Sequence, residues 1–241
     1  MQAGEGYITL EDGARLYFEK LGTGPKAVII PNGFCFLEDF RRLAEWRTLI
    51  FYDVRNRGRS DTVAEPAMLA RGIQQDVDDL DAVRRHFRID QADVIGHSYI
   101  GLMVALYAMK YAAHIGRVVQ IGPAQPDAEK QYPAPLSYAD AVLADVMTKI
   151  GQMMKEPPSG DPEEACKKFW SVLRAIYVAD PSDAARADWG RCDLANERNF
   201  MRYWIGYIVP SIKSLNLTAE EMAKAKAPVL IVHGNKDRSA P

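Results

Sequence analysis

Apolar and polar positions change rhythm three times along the chain. Two short alternating runs come first, Tyr7–Leu10 and Arg15–Leu21, divided by Glu11-Asp12-Gly13. An Asp-Gly step between alternating runs predicts a β-hairpin. Five runs of another kind follow: Ala27–Pro31, Thr48–Tyr52, Ala92–Ile95, Arg117–Ile121 and Pro228–Val232. They are short, β-branched and apolar on both faces, as parallel strands buried between helix layers are. Between them lie helical patterns. Ile73, Val77, Leu80, Val83 and Phe87 recur at steps of 4, 3, 3 and 4, which is one face of a helix. The apolar segment Ile100–Tyr111 predicts another helix directly after a strand.

The alternation stops after Ile121. From residue 124 to about 217 the chain turns helical and aromatic, with Met147, Met153, Met154, Phe169, Trp170, Trp189, Phe200, Tyr203, Trp204 and Tyr207. Pro157-Pro158-Ser159-Gly160 and Asp180-Pro181-Ser182 divide it. Thr218, with Glu221 three residues on, then forms a capping box ahead of the Pro228 run. The expected fold is therefore α/β, a mainly parallel central sheet flanked by helices. Residues 1–123 and 218–241 form its core, and residues 124–217 an inserted helical lid. No long segment after Val232 could cover that strand, which places it at the sheet edge and makes the chain read as truncated.

Composition narrows the classes. The chain has 241 residues with 30 Lys+Arg against 32 Asp+Glu, a formal charge of −2, and no basic stripe that would track nucleic acid. Its apolar runs are too short to span a membrane, and the first residues lack the pattern of a secretory signal. Three well-separated cysteines, Cys35, Cys166 and Cys192, argue against a disulfide framework and for a reducing, cytoplasmic compartment. Asp76, Asp78, Asp79 and Asp81 crowd one helix and read as a solvated acidic face rather than a metal site.

The sharpest chemical signal is Val94-Ile-Gly-His-Ser-Tyr-Ile-Gly101. A buried strand ends in Gly96-His97-Ser98 and a helix begins at once. This is the setting of a nucleophile elbow, with Ser98 as nucleophile. The bland alternative makes Ser98 a plain helix N-cap.

With these residues the chain resembles the α/β-hydrolase superfamily. Pro31-Asn32-Gly33-Phe34 follows the first parallel strand, where that family carries a His-Gly oxyanion loop, and Asn32 stands in the place of the histidine. The resemblance implies the N–H groups of Phe34 and Tyr99 as oxyanion donors. Asp53-Val-Arg-Asn-Arg-Gly-Arg-Ser-Asp61 is similar to the family's D-x-R-G-x-G-x-S loop, structural in role, with acid binding by its arginines as the alternative. His233-Gly-Asn-Lys-Asp237 resembles the loop that carries the triad acid, here Asp237. The second small residue of the elbow, usually two places after the serine, is Ile100, with Gly101 one place later.

The implied activity is that of a serine hydrolase acting on a small-molecule ester or related acyl substrate through a Ser-Asp-His mechanism, with no cofactor and no metal. In this family the histidine follows the acid, which places the base beyond residue 241; His86, His97, His114 and His233 are the substitutes within the chain. Trp170, Tyr203, Trp204 and Tyr207 are the candidate substrate-binding residues. Two rivals stand. One is a proline iminopeptidase-like aminopeptidase, anchoring an ammonium group on Glu129, Glu163, Glu164 or Glu197. The other is a hydrolase-like binding protein without turnover.

Overall fold

The computed structural model describes residues 4–124, 141–155, 160–186 and 191–237. Trp189 and Glu129 therefore lie outside the described residues. Seven strands, β1 (Gly4–Thr9), β2 (Arg15–Leu21), β3 (Ala27–Pro31), β4 (Thr48–Tyr52), β5 (Ala92–His97), β6 (Ile115–Ile121) and β7 (Val229–Val232), join in one sheet. Their order is β1-β2-β4-β3-β5-β6-β7. The hairpin forms as the Asp-Gly step predicts: β1 and β2 pair antiparallel, with Gly13 at φ 87 in the turn. β2 also runs antiparallel to β4, and the remaining pairs are parallel.

Central strands feed two cores because alternate side chains leave a strand on opposite faces. Ile29, Ile50 and Val94 join one cluster, while Val28, Ile30, Leu49, Phe51 and Ile95 join the other. Helix α1 (Gly33–Phe40) covers the second face through Phe36, Leu37 and Phe40. After the short α2 (Pro66–Leu69), helices α3 (Ile73–His86) and α4 (Tyr99–Lys110) cover the first. β7 pairs with β6 and leaves Val229, Leu230, Ile231 and Val232 about half exposed, at 46%, 58%, 58% and 48%.

The stretch between β6 and β7 is helical where it is described. It holds α5 (Ala141–Lys155), α6 (Pro162–Leu173) and α7 (Ala195–Tyr203). A π-helical turn, Trp204–Ile208, then leads into α8 (Val209–Lys213), and α9 (Ala219–Met222) follows. Thr218 Oγ1 accepts the Glu221 N–H at 3.2 Å, the capping contact expected there. No helix of the described residues is long and apolar enough to cross a membrane.

Two expectations need correction. Cys166 and Cys192 are bonded, with Cα atoms 5.7 Å apart. The helical insertion brings α6 beside the start of α7, a proximity that a sequence separation of 26 residues conceals. The cysteine argument for a reducing compartment therefore falls. The acidic row on α3 is not a solvated face either, since Asp76, Asp79 and Asp81 are all buried. Asp79 takes a bidentate contact from Arg55 at 2.5 and 3.0 Å, and Asp81 pairs with Arg84 at 2.8 Å. Each charge is buried because an arginine comes with it.

Asp76 is the exception, accepting from the Tyr203 hydroxyl at 3.4 Å. Burial pushes its carboxyl well above the ordinary 3.8, with the Asp79 charge adding to the rise. The folded protein thus retains a proton there that the unfolded chain releases, and this contribution to stability declines as pH rises between the two values. Asp76→Asn is expected to raise the melting temperature at pH 8 and to lose that advantage in acid, where Asp76 is neutral anyway. Equal destabilisation at both pH values in thermal scans would contradict this.

Candidate active site

The elbow is built from backbone. Ser98 has φ 54 and ψ −126, a conformation that side-chain-bearing residues occupy at a cost of about 1–3 kcal/mol. It is held by three hydrogen bonds: its N–H donates to Ile121 O at 3.0 Å, and its carbonyl accepts from Leu102 N at 3.3 Å and Ala124 N at 2.9 Å. The turn closes because Gly96 has no side chain. A Cβ there would stand 2.4 Å from Ile100 O and 2.9 Å from Gly101 N. Gly101 in turn packs against Pro123, where an added Cβ would lie at 3.0 Å, so the glycine one place late still serves a close approach. Ile100, in the expected place of that glycine, points into the core at 1% exposure. Ser98 occupies the N-cap position of α4, but its side chain makes no capping bond there.

Ser98 opens into a cavity of about 240 Å³. On the core side it is lined by Asn32, Cys35, Phe36, Arg57, His97 and Tyr99, and on the other side by Met147, Ile150, Phe169, Trp170, Leu173, Tyr177, Met201 and Trp204 from the insertion. Of the four candidate substrate-binding residues, Trp170 and Trp204 line this cavity. Tyr203 and Tyr207 do not. Tyr203 reaches Asp76 on α3, and Tyr207 packs beside it against the core, their ring centroids 6.1 Å apart. Four residues apart on one helix, they share a face that Trp204 does not. The helical spacing of Phe169, Leu173 and Tyr177 was the overlooked signal for the other wall. Cys35 is no rival nucleophile, because burial pushes its thiol up to about 12.

Asp237, the candidate acid, lies beside the strand end that holds Ser98. Asp237 Oδ2 lies so close to Gly122 that a Cβ on that glycine would stand 3.0 Å away. Gly122 directly follows Ile121, the residue that holds Ser98 N–H. His233 Nε2 is 3.7 Å from Asp237 Oδ2 within the same loop. Asp237 also acts on His97, whose pKa burial lowers while the Asp237 charge opposes the fall. The His97 ring is edge-on to Phe36 at 5.5 Å and tilted against Tyr177 at 6.2 Å. His86 lies edge-on to Phe87 and tilted against Phe18, and His114 bonds to Asp90 O, and neither lines the cavity.

The expected oxyanion pair is not assembled. The Phe34 N–H donates to Asp53 Oδ1 at 3.0 Å. Asp53 is fully buried at the end of β4, beside the β3 end by register, and it takes that N–H together with Arg59 N–H and Nε. Tyr99 remains at the first position of α4, where the helix dipole favours negative charge.

The arginine loop is spent on the protein itself. Arg55 meets Asp79 and Asp12, Arg59 meets Asp53 and Glu19, and Arg57 makes a bidentate pair with Glu197 at 2.9 and 2.9 Å. Gly58 N–H also donates to Glu197 Oε1 at 2.9 Å, and Asn196 Nδ2 donates to Ser60 O at 2.7 Å. Residues 196 and 197 thus fasten the insertion to the core loop. Glu197 is consequently unavailable as an ammonium anchor. Glu163 and Glu164 pair with Lys167 on the outer side of α6. Among the described residues no carboxylate lines the cavity.

Comparison with known proteins agrees with this architecture. The α/β hydrolase fold family model matches residues 27–241. An esterase from Exiguobacterium antarcticum superposes with a TM-score of 0.71 at 19% identity, covering 99% of this chain and 84% of that one. A serine hydrolase from the polyaromatic hydrocarbon-degrading bacterium Cycloclasticus zankles also gives 0.71, at 17% identity over 100% and 83% of the two chains. A proline iminopeptidase from Heyndrickxia coagulans is 25% identical over 126 residues, 49% of this chain and 43% of that enzyme, so the match spans less than half of either. The chain belongs to the α/β hydrolase fold family.

Proposed function

We propose that this protein is a serine hydrolase that cleaves esters carrying an apolar acyl group. The carrying observation is Ser98, held at φ 54 at the mouth of a helix and opening into a cavity roofed by apolar and aromatic side chains. In the proposed reaction Ser98 Oγ bonds to the acyl carbon and its proton passes to a histidine oriented by Asp237. The carbonyl electron pair moves onto oxygen beside the Tyr99 N–H. Collapse expels the alcohol, and water releases the acid by the same steps. The insertion acts as a lid, with Trp170 and Trp204 against the acyl group.

The absence of a carboxylate among the described lining residues favours an ester over an aminoacyl substrate. A panel of p-nitrophenyl esters and aminoacyl anilides tests this. Butanoate and benzoate esters should be cleaved faster than acetate, and aminoacyl anilides not at all. Trp170→Ala should narrow the preference for the larger acyl group by about 10-fold, as loss of pocket contacts does. Tyr207→Ala should leave the preference unchanged. Faster cleavage of aminoacyl anilides than of any ester would overturn the reading.

A further inference from the structure

Asn32 stands where the related proteins' histidine is expected, and the reaction above gives it nothing to do. It ends β3 in the left-handed conformation, φ 61 and ψ 50, which Asn tolerates better than most residues. It is 5% exposed, yet it lines the cavity with Ser98. Its side chain does not cap α1. Oδ1 is sealed from solvent without a hydrogen-bond partner, and the amide bonds to none of the described residues. Nδ2 is not among these sealed atoms, and Asn32 is a lining residue of the cavity into which Ser98 opens. β3 and β5 pair parallel with Ile29 opposite Val94, so Asn32, which follows β3, and Ser98, which follows β5, leave the same end of the sheet. Neighbouring strands are about 4.8 Å apart.

Buried polar groups normally find a partner, and Oδ1 has none among the described residues. The N–H two residues on, at Phe34, is already taken by Asp53. The geometry points to Asn32 Nδ2 as the second donor, with the Tyr99 N–H, to the oxygen that becomes negative when Ser98 attacks. This rests on the serine-hydrolase reading. As the Oγ–C bond forms, the carbonyl π pair moves to oxygen and the serine proton goes to the base. The amide keeps its own protons and contributes a hydrogen bond that strengthens with the charge.

A fluorophosphonate probe tests the role, because Oγ–P bond formation expels fluoride and leaves a phosphoryl oxygen in the oxyanion position. Asn32→Gly keeps the left-handed backbone accessible and deletes the donor. Asn32→Asp keeps the shape but only accepts. Both should slow Ser98 phosphonylation by about 10²-fold, and kcat for an ester should fall by a similar factor with KM unchanged. In a crystal structure of the phosphonylated wild-type protein the phosphoryl oxygen should lie about 3 Å from Asn32 Nδ2, a readout that does not depend on the variants folding. Labelling of both variants at the wild-type rate, or a phosphoryl oxygen turned away from Asn32, would overturn this inference alone. Failure of the wild type to label at Ser98 would bring down the hydrolase reading and this inference with it.

Discussion

Replacing Glu197 by alanine is expected to lower the free energy of unfolding by about 3–5 kcal/mol, the cost of leaving one member of a buried ion pair alone. Arg57 and Glu197 are both buried, joined by two hydrogen bonds of 2.9 Å, and 140 residues apart. Truncation strands the guanidinium in the interior and also frees the Gly58 N–H, which Glu197 accepts. Glu197→Gln should cost less, because its one amide oxygen can still accept from Arg57 Nε and the Gly58 N–H, while the charge and the second bond from Arg57 Nη2 are lost. Urea unfolding measures both. A change below about 1 kcal/mol for the alanine variant would show that the pair does not fasten the insertion to the core. A second consequence is functional. Arg57 lines the cavity, so its release should raise KM for the ester even where the protein stays folded.

The second large effect is expected at Gly96. A methyl group there would lie 2.4 Å from Ile100 O and 2.7 Å from Ile100 C, both backbone atoms that no rotamer change can move aside. Gly96→Ala must therefore displace the start of α4 and with it Ser98. A displacement of about 1 Å in a reacting group costs on the order of 10²-fold in rate. Gly101→Ala meets Pro123 at 3.0 and 3.1 Å, a milder approach, and should lose less. Equal phosphonylation rates for wild type and Gly96→Ala would contradict the account of how the elbow is held.

Much of this was legible in the sequence because the controlling interactions are local. β3 and β4 read as interior strands, since every position in Thr48–Tyr52 is apolar or threonine and every one is buried. The elbow read from Gly96 and Ser98 because the turn needs a missing side chain two residues before the nucleophile. What escaped was contact between distant segments. Nothing near Glu197 announces that it will meet Arg57, nor anything near Cys166 that it will meet Cys192. The aspartates of α3 look solvated partly for the same reason: Arg55, Tyr203 and Tyr107 reach them from other elements, although Arg84, which pairs with Asp81, lies on α3 itself. Tyr203 and Trp204 share an aromatic composition, yet adjacent helical residues point about 100° apart, and here Trp204 lines the cavity while Tyr203 turns to Asp76. Phe34 was assigned by position in a motif. Position could not show that a buried carboxylate on the next strand would claim its N–H.

The central claim is that Ser98 is the nucleophile, and mass spectrometry of the fluorophosphonate-treated protein tests it most directly. The account predicts a single phosphonyl adduct, carried by the peptide containing Ser98 and absent from Ser98→Ala. An unmodified protein, or an adduct on any other residue, would contradict it.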